Sequence, residues 1–214
     1  MIPTIIITLF ALKLLDKYTT PEKARWFYLH IWINAANLLV CINDIFDVLN
    51  DPIKEYNAPW SSSDSYAVVC AGHIYHMVAF QNLKYMDWLH HITMIFITLP
   101  WTVYWMPNKG AVFAIAGLSG LPGGIDYVLC TLAKLDKISW NTEKYWNNHI
   151  QVWLRTPWLL FSCAWGWMFF RDGSMHSATI ISFLFVFWNA CFFMQDTLRA
   201  NYVKLSGENV KKPE

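Results

Sequence analysis

Residues 72–91 read GHIYHMVAFQNLKYMDWLHH and carry four of the seven histidines, His73, His76, His90 and His91, between two apolar runs. As one continuous helix, the spacing predicts His73 and His76 about a turn apart, with Phe80, Lys84 and Asp87 continuing the same stripe. His90 and His91 then arrive where the next apolar run begins. Ionisable side chains at the border of a hydrocarbon layer are costly to keep there, which makes a function the default expectation for them.

The flanking composition sets the environment. The chain of 214 residues is 56% hydrophobic and only 14% charged, well below the charged fraction of an ordinary soluble domain. Many of its 13 tryptophans lie near the ends of apolar runs, where Trp26, Trp60, Trp88, Trp101, Trp105, Trp140 and Trp146 suit an interfacial belt. A net charge of +1 excludes nucleic acid as a main partner. The five cysteines, Cys41, Cys70, Cys130, Cys163 and Cys191, are odd in number and lack CxxC spacing, so they read as small core residues. Met1 and the residues after it carry no basic start and no small-residue cleavage site, so no signal peptide is expected.

Seven apolar segments follow one another, at 2–15, 26–41, 66–83, 92–105, 111–133, 150–170 and 177–198. The expected fold is all-α, a polytopic integral membrane protein with six or seven transmembrane helices around a polar, lipid-sized cavity. Its parts are a short apolar segment with a basic loop (1–24), a six-helix membrane core (25–198) and a cytosolic basic tail (199–214). The first segment is short for a ~30 Å hydrocarbon layer, and so is the fourth unless its helix starts before the histidine pair.

Loop charge gives an orientation. Lys13, Lys17, Lys23, Arg25, Lys84, Lys134, Lys137, Lys144, Arg199, Lys204, Lys211 and Lys212 fall on one side, against Lys54, Lys109 and Arg171 on the other. That asymmetry places the C-terminus in the cytosol. The acidic, turn-rich loop 43–65 falls on the opposite side. The ending KKPE resembles a dilysine retrieval signal, which points to the endoplasmic reticulum membrane.

Nearly every internal segment carries a polar stripe, which implies a shared polar interior. His30, Asn34, Asn37 and Asp44 lie within about 40° of one another on a helical wheel, with Cys41 between them. Helix-packing contacts and a cavity wall explain that stripe equally well. In GLSGLPGGIDYVLC, Gly120 and Gly124 allow close helix approach, and Pro122 predicts a bend just before Asp126. Asn148 and Arg155 share a face, and so do Asn189 and Asp196. Arg155 is placed to snorkel, to pair with Asp126 or Asp87, or to meet a phosphate or acyl carboxylate.

Three chemistries use histidines near a bilayer surface. A diiron oxygenase takes many nitrogen ligands, more than one HxxH and one HH supply. A single zinc site takes three or four, which His73, His76, His90 and His91 could provide, but nothing in the spacing selects it, and no metal site is assigned. The third is imidazole as general base or acyl acceptor. Histidines bonded only to backbone or headgroups are the structural alternative.

The segment MDWLHHITMIF, a paired histidine opening a membrane helix with an acid upstream, resembles the TLC domain of ceramide synthases and translocon-associated membrane proteins. YMDWLHHITMI is also similar to the histidine box of very-long-chain fatty acid elongases, with Asp87 standing where that box has its first histidine. Both resemblances imply handling of long acyl chains, with acyl-CoA as co-substrate and no tightly bound cofactor. They make His90 and His91 the catalytic candidates and His73 and His76 the cavity lining. By residue chemistry alone, Asp87 would orient a ring, and His30, Asn34, Asp126 and Arg155 join the substrate-binding candidates. The partners expected are membrane lipids, a long-chain acyl substrate and a second copy of the chain in a homo-oligomer. A lipid-binding protein without catalysis and a metal-dependent lipid oxidase are the rival functions.

Overall fold

The computed structural model describes residues 1–205, and every regular element among them is a helix apart from one isolated bridge between Pro59 and Asn108. The KKPE ending and most of the expected cytosolic tail lie outside the described residues. Helix α1 spans Ile2–Tyr18, α2 Arg25–Asn50, the short α3 Pro52–Glu55 and α4 Asp64–Ala79. They are followed by α5 (Tyr85–Thr93), α6 (Leu99–Trp105), α7 (Lys109–Ser119), α8 (Leu121–Lys134), α9 (Trp140–Ile150), α10 (Thr156–Arg171) and α11 (Thr179–Leu205). Three stretches are long and apolar enough to cross a membrane: Glu22–Asn50, Lys109–Lys134 and Thr179–Asn201.

Helix α2 is the hub, packed against α4, α7 and α8, while α10 packs on α11 and α7 and α1 lies along α4. Its polar stripe turns inward. Asn34, Asn37, Cys41 and Asp44 are all buried, and His30 is half-buried. Asn37 Nδ2 donates to Ser119 Oγ at 3.4 Å, and Asn34 lies against Gly123 on α8. Asp44 anchors the following loop instead of lining a cavity: its carboxylate accepts from the Ser61 backbone N–H at 3.0 Å and from the Ser61 hydroxyl.

That loop closes one end of the bundle. Lys109 Nζ bridges Asp47 at 2.7 Å and Glu55 at 2.6 Å. Tyr56 is fully buried, donates from its hydroxyl to the Ser162 carbonyl at 2.6 Å and stacks on Phe169. Its ring covers Gly110, where any Cβ would collide with it, so the close approach of loop and α7 requires glycine. The core around it comprises Ile45, Val48, Tyr66, Val69, Leu99, Val112, Phe113 and Phe183.

The bend expected near Pro122 falls at a one-residue interruption between α7 and α8. Gly120 leaves helical geometry (φ −92°, ψ −111°), where a Cβ would strike the Ala116 carbonyl. Pro122 then sits in the first turn of α8, where its missing N–H costs no helix bond. The expectation of one continuous helix over 72–91 is overturned. α4 ends at Ala79, Phe80 is extended (φ −117°, ψ 119°), and α5 starts only at Tyr85. The cause is local: the Asp87 carboxylate accepts from the Lys84 backbone N–H at 3.1 Å, a cap that starts a new helix. Phe80, Lys84 and Asp87 therefore do not continue the stripe of His73 and His76. The new helix does begin before the histidine pair, and it runs on through a π-helical turn at Met94–Thr98 into α6.

Candidate functional site

The chain reversal at 80–84 folds α5 back toward the end of α4, and this brings the histidines together. His73 and His91 approach Nδ1 to Nδ1 at 2.7 Å, so one ring donates and the other accepts. The ring centres of His73 and His90 are 5.1 Å apart, and those of His76 and His91 are 4.4 Å apart, nearly edge to face. His76 and His91 are buried, His73 is half-buried and His90 is exposed.

Helix α2 supplies the other wall. Trp26 lies against both His30 and His76, and Phe80 packs edge-on against Trp26 and His76. His30 is tied by Nδ1 to the Trp26 carbonyl at 2.9 Å and rests on the Tyr127 ring, with centres 4.5 Å apart. Its own ring centre is 6.0 Å from that of His76. The spacing Trp26–His30, one helical turn, is the sequence signal for this pair; the Tyr127 contact has none.

Two buried imidazole nitrogens in this group, His76 Nδ1 and His91 Nε2, have no hydrogen-bond partner. Leaving a buried polar atom unpaired is expensive, and in a native fold it asks for an explanation such as a catalytic role. His76 also lines an open groove of about 540 Å³, together with Arg25, Trp26, Phe80, Asn82 and Asp87. That size lies within the range of small-molecule sites. It is a groove and not the enclosed chamber that the sequence led us to expect.

At its mouth Arg25 Nε donates to Asp16 Oδ1 at 2.7 Å, its Nη2 reaches Asp16 Oδ2, and the Tyr75 hydroxyl donates to Asp16 at 2.7 Å. The Arg25 guanidinium, helped by Tyr75, holds the Asp16 carboxyl below its usual range against the opposing effect of burial. Arg25 also lies over the Phe80 ring, 4.4 Å from its centre.

The remaining expected site residues divide from this group. Asp87 edges the groove, but its carboxylate caps α5, and no hydrogen bond links it to a histidine among the described residues. Asn34 belongs to the α2–α8 contact, where its Nδ2 is unpartnered. Asp126 joins a second polar group with Cys130 and the fully buried Glu143. There the Cys130 thiol lies 3.9 Å from Asp126 Oδ1 and 3.8 Å from Glu143 Oε1. Arg155 pairs with neither Asp126 nor Asp87: it donates to Gln151 Oε1 at 3.3 Å and to Asn189 Oδ1 at 2.7 Å.

Comparison with protein-family models, with curated proteins and with solved structures finds no match to the chain. Its chemistry rests on its own side chains. A neutral imidazole with an unpaired ring nitrogen, buried at the wall of an amphipathic groove, can take a proton or accept an acyl group. Trp26, Phe80 and the stem of Arg25 give the groove its apolar side, while its rim carries the Arg25 guanidinium, paired with Asp16, and the Asp87 carboxylate.

Proposed function

We propose that the chain is a multi-pass protein of the endoplasmic reticulum membrane that binds a long-chain acyl group in the Arg25–His76 groove and transfers it. The single observation that carries this reading is the His76 ring, buried at the groove wall with Nδ1 unpaired and His91 directly behind it. In this reading His76 Nδ1 takes the proton of the acceptor as that acceptor attacks an acyl thioester carbonyl and the thiolate leaves. His73 and His91, joined through their Nδ1 atoms, fix the ring behind it. Arg25, held by Asp16 through Nε and Nη2, offers its remaining N–H groups to the anionic end of the donor, for which acyl-CoA is the class of choice.

The topology belongs to the same proposal. Helices α1, α2 and α4, the run through α5 and α6, the pair α7–α8, the run from α9 to α10, and α11 make six or seven spans, depending on α1. With the basic loops in the cytosol, the groove opens at the cytosolic face, where acyl-CoA is available. The resemblance of residues 86–96, MDWLHHITMIF, to the TLC domain supports the same substrate class.

The test uses the full chain expressed in cells and compared with His76→Ala and His91→Ala by lipid mass spectrometry. Loss of the shifted acyl species in both variants, at unchanged protein level, is the expected result. Variants that shift lipids as the parent does defeat the enzymatic reading. The second reading, acyl binding without transfer, is favoured by the absence of a hydrogen bond between any carboxylate and the histidine group among the described residues. It predicts that co-purified acyl chains persist while no species shifts in the parent.

A further inference from the structure

We infer that His73, His90 and His91 form a binding site for one divalent metal ion of the zinc class, adjoining the groove but separate from His76. A ligand atom from each of the three lies within 4.8 Å of the others. The arrangement of the rings says more than that proximity. Their centres form a near-equilateral triangle, 5.0 Å for His73–His91, 5.1 Å for His73–His90 and 5.3 Å for His90–His91. Their planes are inclined to one another by 61°, 65° and 60°, so the three rings form a propeller.

A tetrahedral metal dictates such a triangle. With metal–nitrogen bonds of about 2.0–2.1 Å, and ring nitrogens about 1.1 Å from the ring centre, each centre lies about 3.2 Å from the metal. Tetrahedral angles then separate the ring centres by about 5.2 Å. The His73–His91 separation is also what their hydrogen bond alone gives, so the two edges to the exposed His90, 5.1 Å and 5.3 Å, are the ones that carry the argument.

The hydrogen bond between the two Nδ1 atoms is compatible with the site. Two nitrogens on one tetrahedral metal lie about 3.3 Å apart, so binding breaks the 2.7 Å hydrogen bond and turns the two ring nitrogens from facing each other toward a common centre. The ring that carries its proton on Nδ1 moves it to Nε2, and no net charge is displaced. His91 Nε2 is buried and unpaired, and the His91 ring lies edge to face with His76, their centres 4.4 Å apart.

The ligand set selects the metal. Three neutral imidazoles with no carboxylate or thiolate suit zinc, or cobalt in its place, better than magnesium or calcium. Three protein ligands leave the fourth position to water or a substrate oxygen. His76 stays outside the triangle and keeps its own role at the groove.

The experiment uses the full chain in detergent micelles, carried on a tag without histidine, stripped with chelator and refilled with zinc or cobalt. One metal per chain and the visible absorption of tetrahedral cobalt are expected for the parent. His90→Ala removes an exposed ring with little demand on the fold and should weaken zinc binding by more than about 100-fold. His73→Ala and His91→Ala should do the same, with helix content followed by circular dichroism, while His76→Ala and Cys130→Ser keep one metal per chain. A parent that takes up no zinc, a His90→Ala variant that binds as the parent does, or loss of the metal with Cys130→Ser overturns the site. Metal content is read without any lipid present, so its failure is distinct from failure of acyl transfer.

Discussion

His73 on α4 and His91 on α5 meet Nδ1 to Nδ1 at 2.7 Å although 18 residues separate them in the chain. Two like nitrogens at that distance hold one proton between them, so each ring depends on the other for its only hydrogen bond at that atom. In metal-free protein, His73→Ala and His91→Ala should therefore be non-additive. The double variant is expected to lose less stability than the two single losses together, with a coupling of about 0.5–3 kcal/mol. Unfolding in mixed micelles measures it, and strict additivity would show that the contact carries nothing.

The reversal at 80–84 that creates this contact depends on the start of α5. Asp87 accepts from the Lys84 backbone N–H at 3.1 Å, and an acid in the first turn also meets the positive end of the helix. Asp87→Ala should cost about 1 kcal/mol locally, and Asp87→Asn about half of that. Hydrogen exchange of the amides over 85–90 should quicken about fivefold in Asp87→Ala. Exchange that stays at the parental rate would free Asp87 for the ring-orienting role its sequence position suggests.

The sequence shows the polar face of α2 well, because Asn34, Asn37 and Asp44 recur at helical spacing and the structure buries all three. It shows the histidine stretch only half. The apolar and aromatic residues of 72–91 keep a helical period straight through Phe80, so periodicity has no means of marking the break. The deciding term is one carboxylate-to-backbone hydrogen bond at Asp87, which competes with continuation of the helix. Gly120 was legible as a packing glycine but not as the point where the helix is interrupted, since the same residue serves both ends. Contacts such as His30 on Tyr127, or Trp26 on His76, join helices far apart in the chain and leave no periodic trace.

At the other end of the bundle, Tyr56 and Gly110 set a second test. The buried tyrosine ring covers the glycine, and its hydroxyl donates to the Ser162 carbonyl at 2.6 Å. Gly110→Ala forces a methyl group into the ring and should cost about 1–3 kcal/mol. Tyr56→Phe removes only the hydrogen bond, about 1 kcal/mol. Thermal unfolding in detergent should rank Gly110→Ala below Tyr56→Phe and both below the parent. The reverse ranking would place the loop 56–63 away from α7.

Arg155 is buried with a guanidinium that rests on the Asn189 and Gln151 amide oxygens and on the Phe193 ring, 4.8 Å from its centre. No salt bridge holds it among the described residues; its hydrogen bonds go to neutral acceptors, and the Asp126 carboxylate acts on it only through space. Removing an acceptor is then worse than removing the charge. Asn189→Leu leaves the guanidinium short of one oxygen and should destabilise by about 2–4 kcal/mol. Arg155→Met removes the charge, keeps much of the volume and should cost less, because the freed amide oxygens are the smaller burden. Combining the two should recover most of the loss caused by Asn189→Leu. Denaturation midpoints of the three variants decide it: if Arg155→Met proves the most damaging, the charge of Arg155 is held by an anionic partner, and the Asp126 carboxylate on α8 is the first place to look.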